Sequence, residues 1–315
     1  MTFASGLSFL GGFTMTASLP PPPPENTAAW FGGGQPGPFS TVDRITFATD
    51  TATASVRGPL SLARQSLTAA GNFTDGWFGG GGFPTTSRVD RITYATDTAT
   101  ASVRGPLSSS TYGMAAAANT TDGWFGGGWS TSSTVDRITF ATDTATASVR
   151  GPLSSGSSYL AAVGNTTDAW FGGGGPGYRS TVQRITYATD TATASVRGPL
   201  SQATNVLAAT GNSDYGWFGA GEAGPMTSTV QRITYATDTA TASVRGPLNE
   251  RKRNLAASGN TTDGWFGAGY AAPPPYVGPS TTVDRITYAT DTATASVRGP
   301  LSVARYNLAA AGGIQ

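Results

Sequence analysis

From Arg232 to Leu248 the chain reads RITYATDTATASVRGPL, and five further copies differ from it by no more than a Phe in place of the Tyr. Each copy follows a Trp-Phe pair and a glycine-rich run. The six tryptophans concerned, Trp30, Trp77, Trp124, Trp170, Trp217 and Trp265, are 47, 47, 46, 47 and 48 residues apart. A period in this range marks a propeller or solenoid, in which each unit buries its apolar face only by packing on its neighbours.

Within one unit four short β-type segments are expected: 28–34 (AAWFGGG), 41–48 (TVDRITFA), 51–58 (TATASVRG) and 66–71 (SLTAAG). The second alternates with period two, so Val42, Arg44 and Thr46 share one face and Asp43, Ile45 and Phe47 the other. The run MAAAAN at 114–119 has helical propensity. Its counterparts LTAAGN, LAAVGN, LAATGN and LAASGN are short and end in glycine, and the repeat register assigns a strand to all of them. The Asp of each ATDTAT turn, at 50, 97, 143, 190, 238 and 291, is expected to accept backbone N–H groups in an Asx turn.

Four strands repeated six times predict an all-β fold, a six-bladed β-propeller of four-stranded antiparallel blades. The first unit lacks its Ala-rich strand, because Pro20 to Pro24 stand there, whereas RYNLAAAGG at 305–313 follows the last unit with no Trp strand after it. The ring is therefore expected to close by pairing of the N- and C-terminal strands, the C-terminal one being innermost. Residues 25–315 would form this domain and residues 1–24 an arm with a polyproline spacer.

The order LAAAGN, WFGGG, DRITYATDTAT, ASVRGPLS resembles a compressed kelch repeat, a hydrophobic strand ending in glycines followed by spaced aromatics, over residues 28–312. It departs from that pattern in having no separate Tyr and Trp after the glycines. The wording of the repeats is also similar to that of repeat proteins predicted from marine tailed bacteriophages, including those of cyanobacteria. The resemblance implies a virion or extracellular setting.

Composition narrows the chemistry. The chain has no His and no Cys, so the usual general base near neutral pH, thiolate nucleophiles and the commonest metal ligands are missing. A net charge of +1 with one Lys gives no basic stripe for nucleic acid. The apolar N-terminal stretch is too short and too broken for a membrane span. GGGG at 79–82 and 172–175 lacks the GK[ST] of a phosphate loop. Asp43, Asp90, Asp136 and Asp284 recur at one strand position, but Gln183 and Gln231 stand there in two units, against a ring of metal ligands. No catalytic, cofactor or metal residue is expected. The sequons at Asn72, Asn119, Asn165 and Asn260 read as turn chemistry.

In a meander the connections alternate between the two ends of the strands. This puts the near-constant turns (NTTDG, ATDTAT) on one face and every divergent segment, such as GGGFPTTSR, SSSTYG, NERKRN and AGYAAPPPYVGPS, on the other. Loops on a rigid scaffold are the usual place for binding. The expected contact residues there are Phe39, Phe83, Tyr112, Trp129, Tyr159, Tyr178, Tyr270, Tyr276, Arg251 and Arg253, with Phe3, Leu7, Phe9, Leu10 and Phe13 on the arm. The expected function is a non-enzymatic structural and binding module of a bacteriophage virion, such as a tail, fibre or decoration protein within a larger assembly. Its partners would be other virion proteins or a host surface receptor. The alternative is a carbohydrate-binding lectin with repeated glycan sites on the constant face.

Overall fold

The computed structural model describes residues 26–272 and 277–312. The arm with its five apolar residues, the polyproline spacer and Tyr276 lie outside them. The described residues form six four-stranded antiparallel sheets and a seventh of three strands. One typical sheet runs Thr68–Gly71, Asp75–Gly79, Val89–Thr93, Ser102–Arg104 from the inside outwards. This is an all-β, propeller-like fold with repeated blades. The Ala-rich segments are strands, Met114–Ala118 included.

Strand lengths are shorter than alternation alone predicts. The third segment, 51–58, is ordered as a strand only over Ser55–Arg57, because Thr51 to Ala54 use their backbone elsewhere: the Ala52 amide turns back to Thr49 at 3.1 Å and the Ala54 amide reaches Pro300 of the preceding blade at 2.8 Å. Such brief outer strands, flanked by Arg and Pro, leave little edge for unwanted pairing. The first segment stops at Gly32, since Gly33 and Gly34 take positive φ.

The strand Ala309–Ala311, near the end of the described chain, pairs with Ala28–Gly32 as the inner strand of the first sheet, Phe31 opposite Ala310. Around the axis one residue from each blade joins a ring of backbone hydrogen bonds. The amides of Gly113, Tyr159, Val206, Asn254, Asn307 and Ser66 donate in turn to the carbonyls of Ser66, Gly113, Tyr159, Val206, Asn254 and Asn307, at 2.7–2.9 Å, so the series ends where it began. Every member has φ between 50° and 69°, the left-handed conformation that turns the amide toward one neighbour and the carbonyl toward the other. Leu67, Met114, Leu160, Leu207, Leu255 and Leu308, with Ala and Thr of the six inner strands, line the axial space, which holds cavities of about 70 and 110 Å³.

No single core exists. Each apolar cluster straddles two blades, as when Trp30 and Val42 pack with Phe78 and Ile92, or Trp265 and Val283 with Phe31 and Ile45. The fixed words of the repeat build these joints. Trp77 lies stacked on Phe140 of the next blade with ring centroids 3.8 Å apart, and its indole N–H donates to Asp143 at 2.8 Å. The same carboxylate receives Arg91 at 3.1 Å and Arg104 at 3.4 Å. This correction replaces the expected Asx turn: the Asp of ATDTAT faces the neighbouring blade. The joint recurs five more times, ending with Trp265, Arg285 and Arg298 on Asp50.

Glycines at two fixed places are required by close approach. A Cβ on Gly79 would stand 2.9 Å from the Phe125 ring of the next blade, and one on Gly58 only 1.9 Å from the Ala99 carbonyl oxygen. Burying one Trp contributes on the order of 4–6 kcal/mol as an upper bound.

Two outcomes follow for stability. Asp143→Asn, which leaves two guanidinium groups facing an amide nitrogen, should destabilise the fold by about 3 kcal/mol in denaturant titrations. Removing residues 306–315 should lower the melting temperature strongly by stripping the inner strand from the first sheet; an unchanged melting temperature would show that this pairing does not hold the fold together.

Candidate functional site

The divergent loops meet one another over one face. Within a blade, the segment before the inner strand bridges to the loop after the Trp-Phe strand, as Gln65 does to Gly82, Ser158 to Gly175 and Asn205 to Glu222. Between blades the Gly81 amide reaches the Thr111 carbonyl at 2.9 Å. Where the loop after the Trp-Phe strand is longest, this bridging becomes the seventh sheet, Arg251–Arg253 against Tyr270–Ala272 against Gly278–Pro279. Two segments that read as loops are therefore strands. Their partners are distant in sequence, so neither segment shows alternation.

The surface has two aromatic regions. In the first, Trp129 is 57% exposed and lies stacked on Tyr112 with centroids 5.0 Å apart, and Tyr159 meets Tyr112 edge-on at 6.4 Å. Burial pushes the Tyr159 phenol up, Tyr112 adds to the shift, and a hydrogen bond with Ser66 opposes it. Phe83, on the corresponding loop of the preceding blade, is 70% exposed with φ 60°. A bulky residue in the left-handed region costs on the order of 1 kcal/mol or more, and exposing its ring gains nothing for the fold. Ser130 and Thr131 beside Trp129 also take positive φ.

The second region surrounds the small sheet. Arg253 pairs with Glu222 at 2.7 Å and lies 5.4 Å from the Tyr270 ring centre, while Tyr270 meets Tyr306 edge-on at 5.3 Å. Arg251 is exposed. Lys252, between the two arginines, points the other way, fully buried, to Asp284 at 2.8 Å, as period two requires. Tyr178 is 44% exposed on a third loop, and Phe39 is half-buried, with its backbone tied to Gly34 and Arg64. Of the contact residues expected from sequence, Tyr112, Trp129 and Tyr159 thus form one cluster and Arg253 and Tyr270 another. Glu222 and Tyr306 were missed; both lie in divergent segments, which was the available signal.

The opposite face is uniform. In its turns Asn72 accepts the amides of Thr74 and Asp75 at 2.9 Å, and Asn119, Asn165 and Asn260 repeat this. Asp122 is engaged by Thr121, Thr139 and Arg137, and Asp263 by Thr262, Thr287 and Arg285. Clefts between blades open here, one of about 470 Å³ lined by Asn165, Asp168, Arg184, Ser213 and Tyr215 among others, and one of about 460 Å³ that includes Asn72, Asp75 and Arg91. Among the described residues no group of three or more acidic side chains could hold a metal ion, and no helix is long and apolar enough to cross a membrane.

Exposure separates Trp129 from the six joint tryptophans, which are at most 4% exposed. Acrylamide should therefore quench mainly Trp129 fluorescence, and Trp129→Phe should abolish most of the quenchable, red-shifted emission.

No protein-family model matches the chain, and no curated protein matches it. Among solved structures, 506 chains match. One is described as "Structure of YjhT", with a TM-score of 0.65 at 12% identity, covering 80% of this chain and 88% of that one. At that identity the likeness concerns the fold alone, and a fold shared by so many chains does not select a function.

Proposed function

We propose that the six four-stranded sheets are the blades of one closed, kelch-like propeller, and that the protein is a non-enzymatic binding module of a bacteriophage particle. In this reading the divergent face contacts another virion protein or a host surface outside the cell, and residues 1–24 attach the module to the rest of the assembly. The hydrogen-bond ring and the pairing of Ala309–Ala311 with Ala28–Gly32 support closure. The similarity of the repeat wording to proteins of tailed phages supports the setting.

The observation that carries the binding role is the placement of Phe83 and Trp129. Both are large exposed apolar side chains on loops with positive φ, Phe83 at its own position and Trp129 beside Ser130 and Thr131. The fold gains nothing from the exposed ring of Phe83 and only one stacked face from Trp129, whereas a buried partner interface gains from aromatic anchors. The six sectors also differ in sequence, which suits one asymmetric contact better than six equal pockets.

A second reading is favoured by the interblade clefts on the constant face. Their hydroxyls, carboxylates and guanidinium groups could take glycans, making the protein a lectin with repeated sites.

Binding of fluorescent protein to host cells and to particles lacking it, with a glycan array alongside, distinguishes the two. The double change Phe83→Ser, Trp129→Ser should weaken particle or cell binding tenfold or more at an unchanged melting temperature, and Asp122→Asn with Asp263→Asn should leave it alone. Sugar binding lost in the Asp variants, with no effect of the aromatic changes, would overturn the first reading in favour of the second.

A further inference from the structure

One strand position, rejected as a ring of metal ligands, is still informative because its charge is balanced blade by blade. The fourth residue after the Leu of RGPL points into the blade beside it. Arg64, Lys252 and Arg305 occupy that slot in three blades, all fully buried, and pair with Asp90 at 2.7 Å, Asp284 at 2.8 Å and Asp43 at 3.0 Å. Ser157 and Thr204 occupy it in two others. There the acid is replaced by Gln183 and Gln231, whose carbonyls accept the Ser154 and Ser201 hydroxyls at 2.7 and 2.8 Å. A serine hydroxyl of the preceding segment meets Asp90 and Asp43 as it does the two Gln, but within the slot itself a cation accompanies Asp, and Ser or Thr accompanies Gln.

The remaining blade breaks this rule. It keeps the acid, Asp136, but carries Thr111 in the cation's slot. Asp136 is 3% exposed, its Oδ2 accepts the Ser108 amide at 3.0 Å, and the Ser108 hydroxyl also lies against the carboxylate, but no cationic side chain among the described residues pairs with it. In the sister sites the cation also collects backbone oxygens. Arg64 donates to the carbonyls of Gly80, Phe78 and Leu62 at 2.7, 2.9 and 3.2 Å, and Arg305 to that of Phe31 at 2.9 Å. The repeat places Gly127, Phe125 and Ser109 at the corresponding positions around Asp136. A buried carboxylate with no counter-charge is costly, and burial pushes the Asp136 carboxyl upward while Ser108 opposes the shift.

We propose that a monovalent alkali cation, Na⁺ or K⁺, binds in the slot beside Asp136, taking the place that a guanidinium or ammonium group fills in three sister blades. One carboxylate supplies one negative charge, and the Thr111 hydroxyl and neutral carbonyl oxygens complete a hard, all-oxygen environment. Three acidic groups of the kind that hold a divalent ion are not gathered anywhere among the described residues.

The test compares thermal unfolding of the full chain in NaCl, KCl and tetramethylammonium chloride at one ionic strength and pH. The wild type should melt higher in the alkali salts, rising by about 3 °C per tenfold increase in cation once above Kd. Thr111→Arg, which supplies the counter-charge covalently, should melt as high in tetramethylammonium as in Na⁺, and Asp136→Asn should likewise lose the dependence. Thr111→Lys serves if the Arg variant does not fold. Crystals soaked in RbCl should show anomalous density next to Asp136. Equal responses to alkali and tetramethylammonium ions in the wild type, or an alkali response retained by Asp136→Asn, would overturn the proposal. So would a wild type stabilised by acid but not by either alkali ion, which would mean that the carboxyl is simply protonated.

Discussion

Everything in this molecule rests on one joint: a turn carboxylate of one blade accepting the indole N–H and two guanidinium groups of the blade before it, while the aromatic ring that precedes the carboxylate in the same word, Tyr94 before Asp97 for example, covers the indole. The ion pair and the stack act on different parts of one Trp. Packing fixes where the ring lies, and the hydrogen bond fixes how it is turned. Because the carboxylates are about 6% exposed, these contacts operate away from most solvent screening, unlike the surface ion pairs that contribute little elsewhere. The joint also explains why the repeat is held to the letter: Tyr or Phe, Asp, both Arg and the Gly of RGPL all touch a different blade, so a change in any of them disturbs two units.

The joint tolerates two substitutions at its margin. In four blades a second carboxylate, Asp75, Asp122, Asp168 or Asp263, lies about 3.5 Å from the first guanidinium. Tyr215 replaces it in one blade and stacks under Arg232 at 4.3 Å, trading an ion pair for a cation–π contact. Ala28 replaces it in the first blade, where Arg44 keeps Asp97. Variation inside the scaffold thus follows chemistry, as does the buried slot of Arg64, Lys252 and Arg305 within the divergent segments, while the exposed residues of the divergent face follow no common partner among the described residues.

The period, the strand types and the Trp-Phe packing were legible in the sequence because each is local or repeats in register. The Asp of ATDTAT was not. Its partners lie one blade away, and an Asp before a Thr in a short turn has a satisfactory local explanation, acceptance of backbone amides by the side chain, that Asn72 and its equivalents, not this Asp, actually use. Arg251–Arg253 and Tyr270–Ala272 were hidden for a related reason, since strands that pair across divergent insertions carry no apolar alternation. The aromatic residues were visible as a set, but not which of them touch: only coordinates bring Trp129, Tyr112 and Tyr159 together and seat Phe39 half inside.

The sheet that contains Ala28–Gly32 draws its inner strand from Ala309–Ala311. During synthesis the outer three strands of that sheet leave the ribosome about 250 residues before their inner companion. Until then the Trp-Phe strand has a free edge and the axial hydrogen bonds lack their final member. The blades in between can assemble in order as they emerge, while the first sheet stays three-stranded, its Trp-Phe strand an edge that a chaperone or a second copy could grip, until Ala309–Ala311 arrives.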